Sequence, residues 1–173
     1  MNFIRIILIV FLLSTHSILA NEKKIPVKYI DLNLIINESN TGKKIKEKII
    51  SEGEKLKSSH KKLEKKLEKQ KDEILSKKNI LNKEDFENEV KKHQKNVDNY
   101  HVKKKQDINE LGKKNLEMSK KFMIKVDKII MNYAKENSID LLLKKESLIV
   151  SNSALDITKV ILSEVNNTIK KID

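Results

Sequence analysis

The sequence has no cysteine and no tryptophan, one proline (Pro26), and three glycines in 173 residues. Its one arginine, Arg5, lies close to the start, so from there on every permanently cationic side chain is a lysine. Without cysteine there is no disulfide framework, no thiolate zinc cage and no thiol nucleophile. Three scattered glycines cannot form a phosphate-cradling loop. The histidines beyond residue 20 are His60, His93 and His101. None of them has the three- or four-residue spacing of a metal pair on a helix. The expectation is therefore a protein without metal, without cofactor and without catalytic machinery.

What the chain has in abundance is lysine, and its position matters more than its total. The formal net charge is +12. Between Lys43 and Tyr133 there are 27 lysines against 16 acidic residues, while the flanking parts after residue 20 balance to zero. That basic stretch holds no proline and only Gly53 and Gly112. Its apolar residues recur at helical spacing. Ile49, Leu56 and Leu63 stand seven apart, and Leu67, Ile74 and Leu81 continue at the partner position, with His60 and Gln70 as polar interruptions. A second seam runs from Phe86 through Val97, Tyr100, Ile108, Leu111, Met118, Phe122, Val126 and Ile129 to Tyr133. The phase changes between them, where Asn82 can cap a new helix and Glu84 and Asp85 suit its positive end. Two antiparallel helices with a tip near 77–82 are expected, in preference to one unbroken helix of about 90 residues.

Residues 1–20 read as a secretory signal peptide: Arg5, an apolar run from Ile6 to Leu13, and a cut after Ala20. The apolar run is short for a membrane span, which needs about 20 residues. An uncleaved anchor is the alternative. Segments 21–42 and 134–173 form the base. Val27 to Leu32 has a strand pattern, Leu32 to Glu38 a short helix, and Ser39 to Gly42 a break that caps the long arm. Ile139 to Leu143 and Leu148 to Val150 read as strand–turn–strand. A closing helix follows Asp156, with Ile157, Val160, Ile161, Val165 and Ile169 on its apolar face. Leu141, Leu142 and Leu143 are consecutive, as are Leu148, Ile149 and Val150, and strands apolar on both faces are buried on both faces. One chain offers too little cover for that, so several chains are expected to pool these strands, with Tyr29, into a shared base. A small independent α+β domain is the alternative.

Three motifs, in order, then carry a family resemblance. They are Val27-Lys28-Tyr29-Ile30-Asp31-Leu32-Asn33, Ile139-Asp140-Leu141-Leu142-Leu143 and Asp156-Ile157-Thr158-Lys159-Val160. In this layout the chain resembles the Skp/OmpH family of periplasmic chaperones. The resemblance implies an α+β, mainly helical fold, with three chains pooling strands into a small barrel from which three helical hairpins hang. It implies a homotrimeric, ATP-independent holdase that shelters unfolded outer-membrane proteins between its arms. An anionic membrane surface or lipopolysaccharide is a further partner the resemblance implies, although the arms carry lysine where the family mixes in arginine. The client-facing surface is expected to include Lys62, Lys66, Lys69, Lys103 and Lys114. The alternatives are a basic coiled coil binding nucleic acid or a membrane surface, and a structural coiled coil tethered by its N-terminus. Export argues against nucleic acid as a physiological partner.

Overall fold

A computed structural model describes residues 25–171. The expected leader, residues 1–20, and its cut after Ala20 lie outside the described residues. Behind Pro26, the β-branched and aromatic run Val27–Ile30 forms strand β1. Asp31 ends it and caps helix α1 (Leu32–Glu38), its Oδ1 accepting from the Leu34 N–H at 2.8 Å. Ser39 then works twice. Its N–H donates to the Ile35 carbonyl, closing α1, and its Oγ accepts from the Gly42 N–H at 3.1 Å, opening α2.

Helix α2 (Asn40–Ser76) runs 37 residues, about 55 Å. A turn over 77–82 reverses the chain. Asn82 caps α3 (Lys83–Glu136), accepting from the Asp85 N–H at 2.9 Å, with Glu84 and Asp85 in the first turn as expected. At 54 residues α3 is the longer arm and reaches the base. Its end is marked by Ser138 at φ 52° and by an Ile139 N–H donating to the Ala134 carbonyl, a left-handed helix stop.

Strand β2 (Leu141–Lys144) pairs with β1 in parallel, Val27 opposite Leu141 and Ile30 opposite Lys144. The whole hairpin is thus the crossover between two parallel strands. The other edge of β1 is met by an isolated bridge from Tyr29 to Asp156, with the Ile157 N–H donating to the Tyr29 carbonyl at 3.1 Å. Helix α4 (Thr158–Thr168) closes the base. The core lies where α1, the ends of both arms and α4 meet, around Ile35, Phe122, Val126, Ile161 and Val165, all essentially without exposure.

Two expectations need correcting. Leu148 to Val150 is not a strand. After β2 a 3-10 turn (Lys145–Ser147) is held to the start of α1 by Lys145 Nζ–Asp31 Oδ2 at 3.0 Å and Asn33 Nδ2–Glu146 Oε1 at 2.9 Å. These ties carry the chain away from β2 instead of doubling it back, and Ile149 and Val150 stand out in a bend, 102% and 88% exposed. On α4, Val160 is exposed; Ile157, Ile161, Val165 and Ile169 form the buried face.

Candidate functional site

Two surfaces present themselves: the arms and the open edge of the base. Along the arms the seam is narrow and ladders of polar groups reinforce it. Nearest the base, Lys114 Nζ on α3 meets Glu52 Oε1 on α2 at 2.6 Å. Towards the tip, His60 Nε2 stands 3.3 Å from Asp107 Oδ2, close enough for an ion pair but off hydrogen-bond alignment. Next, Glu64 accepts from the Tyr100 hydroxyl and from Lys104 Nζ, the latter at 2.9 Å. The Tyr100 ring is buried edge-on to His60 at 5.8 Å, with the Lys104 ammonium over its face. The hydroxyl hydrogen bond from Tyr100 and the Lys104 ammonium pull the Glu64 carboxyl below its ordinary range, and Lys114 does the same for Glu52. Burial, then the hydrogen bond to Glu64, raises the Tyr100 phenol and keeps it protonated.

The seam differs from the reading of the sequence, in which Leu63 and Ile108 both belong to it; both are exposed. Asp107 takes the place beside His60 of α2, and Ile108, 57% exposed, stands at the flank of the seam on the wall of an open groove of about 460 Å³ between the arms. Leu56, Leu111 and Ile108 line that groove, with Lys57, Lys61 and Lys104 at its sides. Sequence reasoning did not single out Glu52, Glu64 or Asp107. The available signal was the placing of opposite charges beside the two seams.

The five lysines expected to face a client divide. Lys62 and Lys66 are exposed and make no ion pair among the described residues. Lys69 pairs with Glu73 within α2 at 3.8 Å, Lys103 with Asp107 within α3 at 3.0 Å, and Lys114 across the arms with Glu52. Lys66 and Lys103 line one shallow groove with Leu67 and Tyr100 beneath it.

At the base, β2 is an edge strand. One side pairs with β1 and, among the described residues, the other meets no strand. Leu141 is exposed, Leu142, Leu143 and Leu148 are half-buried, and the bend at Ile149–Val150 projects beside them. Tyr29, by contrast, is buried within its own chain. Among the described residues no helix is long and apolar enough to cross a membrane.

A small base of two parallel strands and short helices, bearing one long, basic, two-helix arm, defines an elongated arm-bearing fold. The chain belongs to the OmpH-like family: the family model described as outer membrane protein (OmpH-like) matches residues 26–165. Among solved structures it is similar to a candidate outer membrane chaperone (OmpH-like) from Caulobacter crescentus CB15. The two share 15% identity and a TM-score of 0.82, over 86% of this chain and 88% of the other. No curated protein matches the chain significantly.

Proposed function

We propose that this protein is an ATP-independent holdase of the periplasm. Membership of the OmpH-like family, with a solved structural neighbour described as a chaperone, supports a chaperone role. In the reading offered here, three chains join through the free edge of β2 and the apolar bend at Leu148–Val150. Their arms then surround a cavity that takes unfolded outer-membrane proteins. The observation that carries it is the division of labour within one chain. The base is charge-balanced and leaves an unpaired strand edge and an apolar bend in solvent, while the arms hold all the excess positive charge. A free edge beside fully exposed isoleucine and valine favours self-assembly. Cationic arms raise the encounter rate with acidic unfolded chains.

The test has two readouts on the exported protein. Its mass in solution should correspond to three chains. Diluted from urea without nucleotide, an outer-membrane β-barrel protein should stay soluble when this protein is present in stoichiometric amount. Unchanged light scattering from the aggregating client would overturn the holdase reading.

A further inference from the structure

The outer faces of the two arms are not alike. Seen down α3, the line through Tyr100, Leu111, Phe122 and Ile129 turns towards α2 and the base. At about 100° per residue, Val102, Leu116, Ile124 and Met131 fall within roughly 40° of the opposite direction. All four are well exposed, Leu116 to 70% and Met131 to 69%. The same sector of α2 carries Glu47, Glu54, Ser58, Lys65, Lys69 and Asp72, with no apolar side chain among them. A solvated helix has no need of the apolar set, and α2 shows that this sequence can make an arm face without one. Single exposed leucines are ordinary; Leu116, Ile124 and Met131 following one another over about 23 Å of one helix, with Val102 further along the same line and no counterpart in that sector of the partner helix, mark a contact surface.

Charge on the row indicates its occupant. Lys91, Lys95, Lys113 and Lys120 share the sector, against Glu84, Asp98 and Asp127. Lys113 and Lys120 make no ion pair among the described residues. Apolar side chains interleaved with unpaired ammonium groups complement an extended polypeptide carrying both apolar residues and carboxylates. A second copy of the same row would set lysine against lysine.

We infer that α3, not α2, is the client-contacting arm, and that unfolded acidic segments lie along its Val102–Leu116–Ile124–Met131 face. This deepens the holdase reading and rests on it. In an assembly of such chains, α3 lines the cavity and α2 forms its outside.

The absence of natural cysteine makes the test direct. Leu116→Cys and Ile124→Cys on α3, and Ser58→Cys and Asp72→Cys on α2, each carry a benzophenone maleimide in otherwise full-length protein. Illumination with a urea-unfolded outer-membrane β-barrel protein should give client adducts at 116 and 124 in about fivefold or greater excess over 58 and 72. Equal or reversed yields overturn the inference, as do adducts at 116 and 124 only to a second copy. A second measurement uses the triple variant Leu116→Ser, Ile124→Ser, Met131→Ser. Its helix signal should match the parent because these side chains are solvated, and its client Kd should weaken about tenfold. An unchanged Kd overturns the inference. A parent protein that fails to keep the client soluble sinks the holdase reading itself. A parent that succeeds while labelling equally from both arms sinks only the assignment to α3.

Discussion

A Cβ on Gly42 would stand 1.8 Å from the carbonyl oxygen of Ile36. Gly42 has no positive φ, so the requirement is close approach and not backbone twist. The contact sits where Ser39 closes α1 and opens α2, and it fixes the angle at which the arm leaves the base. Gly42→Ala should therefore destabilise the protein by about 1–3 kcal/mol, the range for forcing atoms into a filled space. Gly112 is the internal control. It lies within α3 with nothing within 4 Å of an added Cβ, so Gly112→Ala should stabilise by about 0.5–1 kcal/mol. Thermal unfolding of the two variants against the parent checks both signs.

The cross-arm carboxylates predict an acid limb. In the folded chain Glu64 and Glu52 both titrate below their ordinary range, Glu64 held down by Tyr100 and Lys104 and Glu52 by Lys114. A carboxyl depressed on folding contributes stability that is fully present above its unfolded value, about 4.3, and lost as pH falls through the lower folded value. These two carboxyls should thus make the stability of the arms decline below about pH 4. The double variant Glu64→Gln, Glu52→Gln should begin less stable at neutral pH and show a shallower decline. Parallel acid limbs for variant and parent, followed by helix signal, would count against these two groups.

Assembly can be probed without disturbing the single chain. Ile149 is fully exposed there, so Ile149→Asp leaves folding of the protomer unchanged. Placed in a shared base, the unpaired carboxylate would cost several kcal/mol. Light scattering should show mass falling from three chains towards one, with helix content retained. Wild-type mass would remove the 148–150 bend from the interface.

The lysines should separate by whether they are paired. Lys62→Gln with Lys66→Gln removes exposed α2 charges without an ion partner, which act through the field that sets the encounter rate and not by touching the client, and glutamine is nearly as good a helix former as lysine. Stopped-flow capture of a fluorescent unfolded client should slow at low salt and match the parent above roughly 0.5 M, where screening lengths shrink to a few ångströms. Lys114→Gln also strips Glu52 of its partner, so it should lower arm stability as well as capture rate. Identical capture at low salt for the Lys62/Lys66 variant would reduce these charges to a solvated surface.

The hairpin was legible because its determinants are local. Helical periodicity, the phase change, the Asn82 cap and the acidic first turn of α3 all act within three or four residues of one another, and the turn lies over 77–82. The Asp156-Ile157-Thr158 motif was legible as a helix start for the same reason, Asp156 Oδ1 accepting from the Thr158 N–H at 2.8 Å. The exposed row on α3 was present in the sequence too. Periodicity alone does not distinguish it, because a second apolar line about 180° from the seam has the same helical spacing and only exposure separates the two.

What the sequence determined alone was the order of the four helices and of the first two strands, the reversal of the arms and the placing of positive charge, since each follows from neighbouring residues or from composition. Tertiary structure decided the parallel pairing of β1 with β2, because it depends on where a crossover of more than 100 residues returns its end. It decided that Thr158 Oγ1 accepts from the Asp31 N–H, 127 residues away, and so seats α4 against the start of α1. It also decided that Asp107 meets His60 while Ile108 is left exposed at the flank of the seam, and which lysines are spent on ion pairs. A hydrophobic repeat specifies a helix face to within about one residue, or 100° of rotation. The packing of Tyr100, His60 and Leu111 against the other arm fixes the rotation, and with it which side chains remain free to meet a partner.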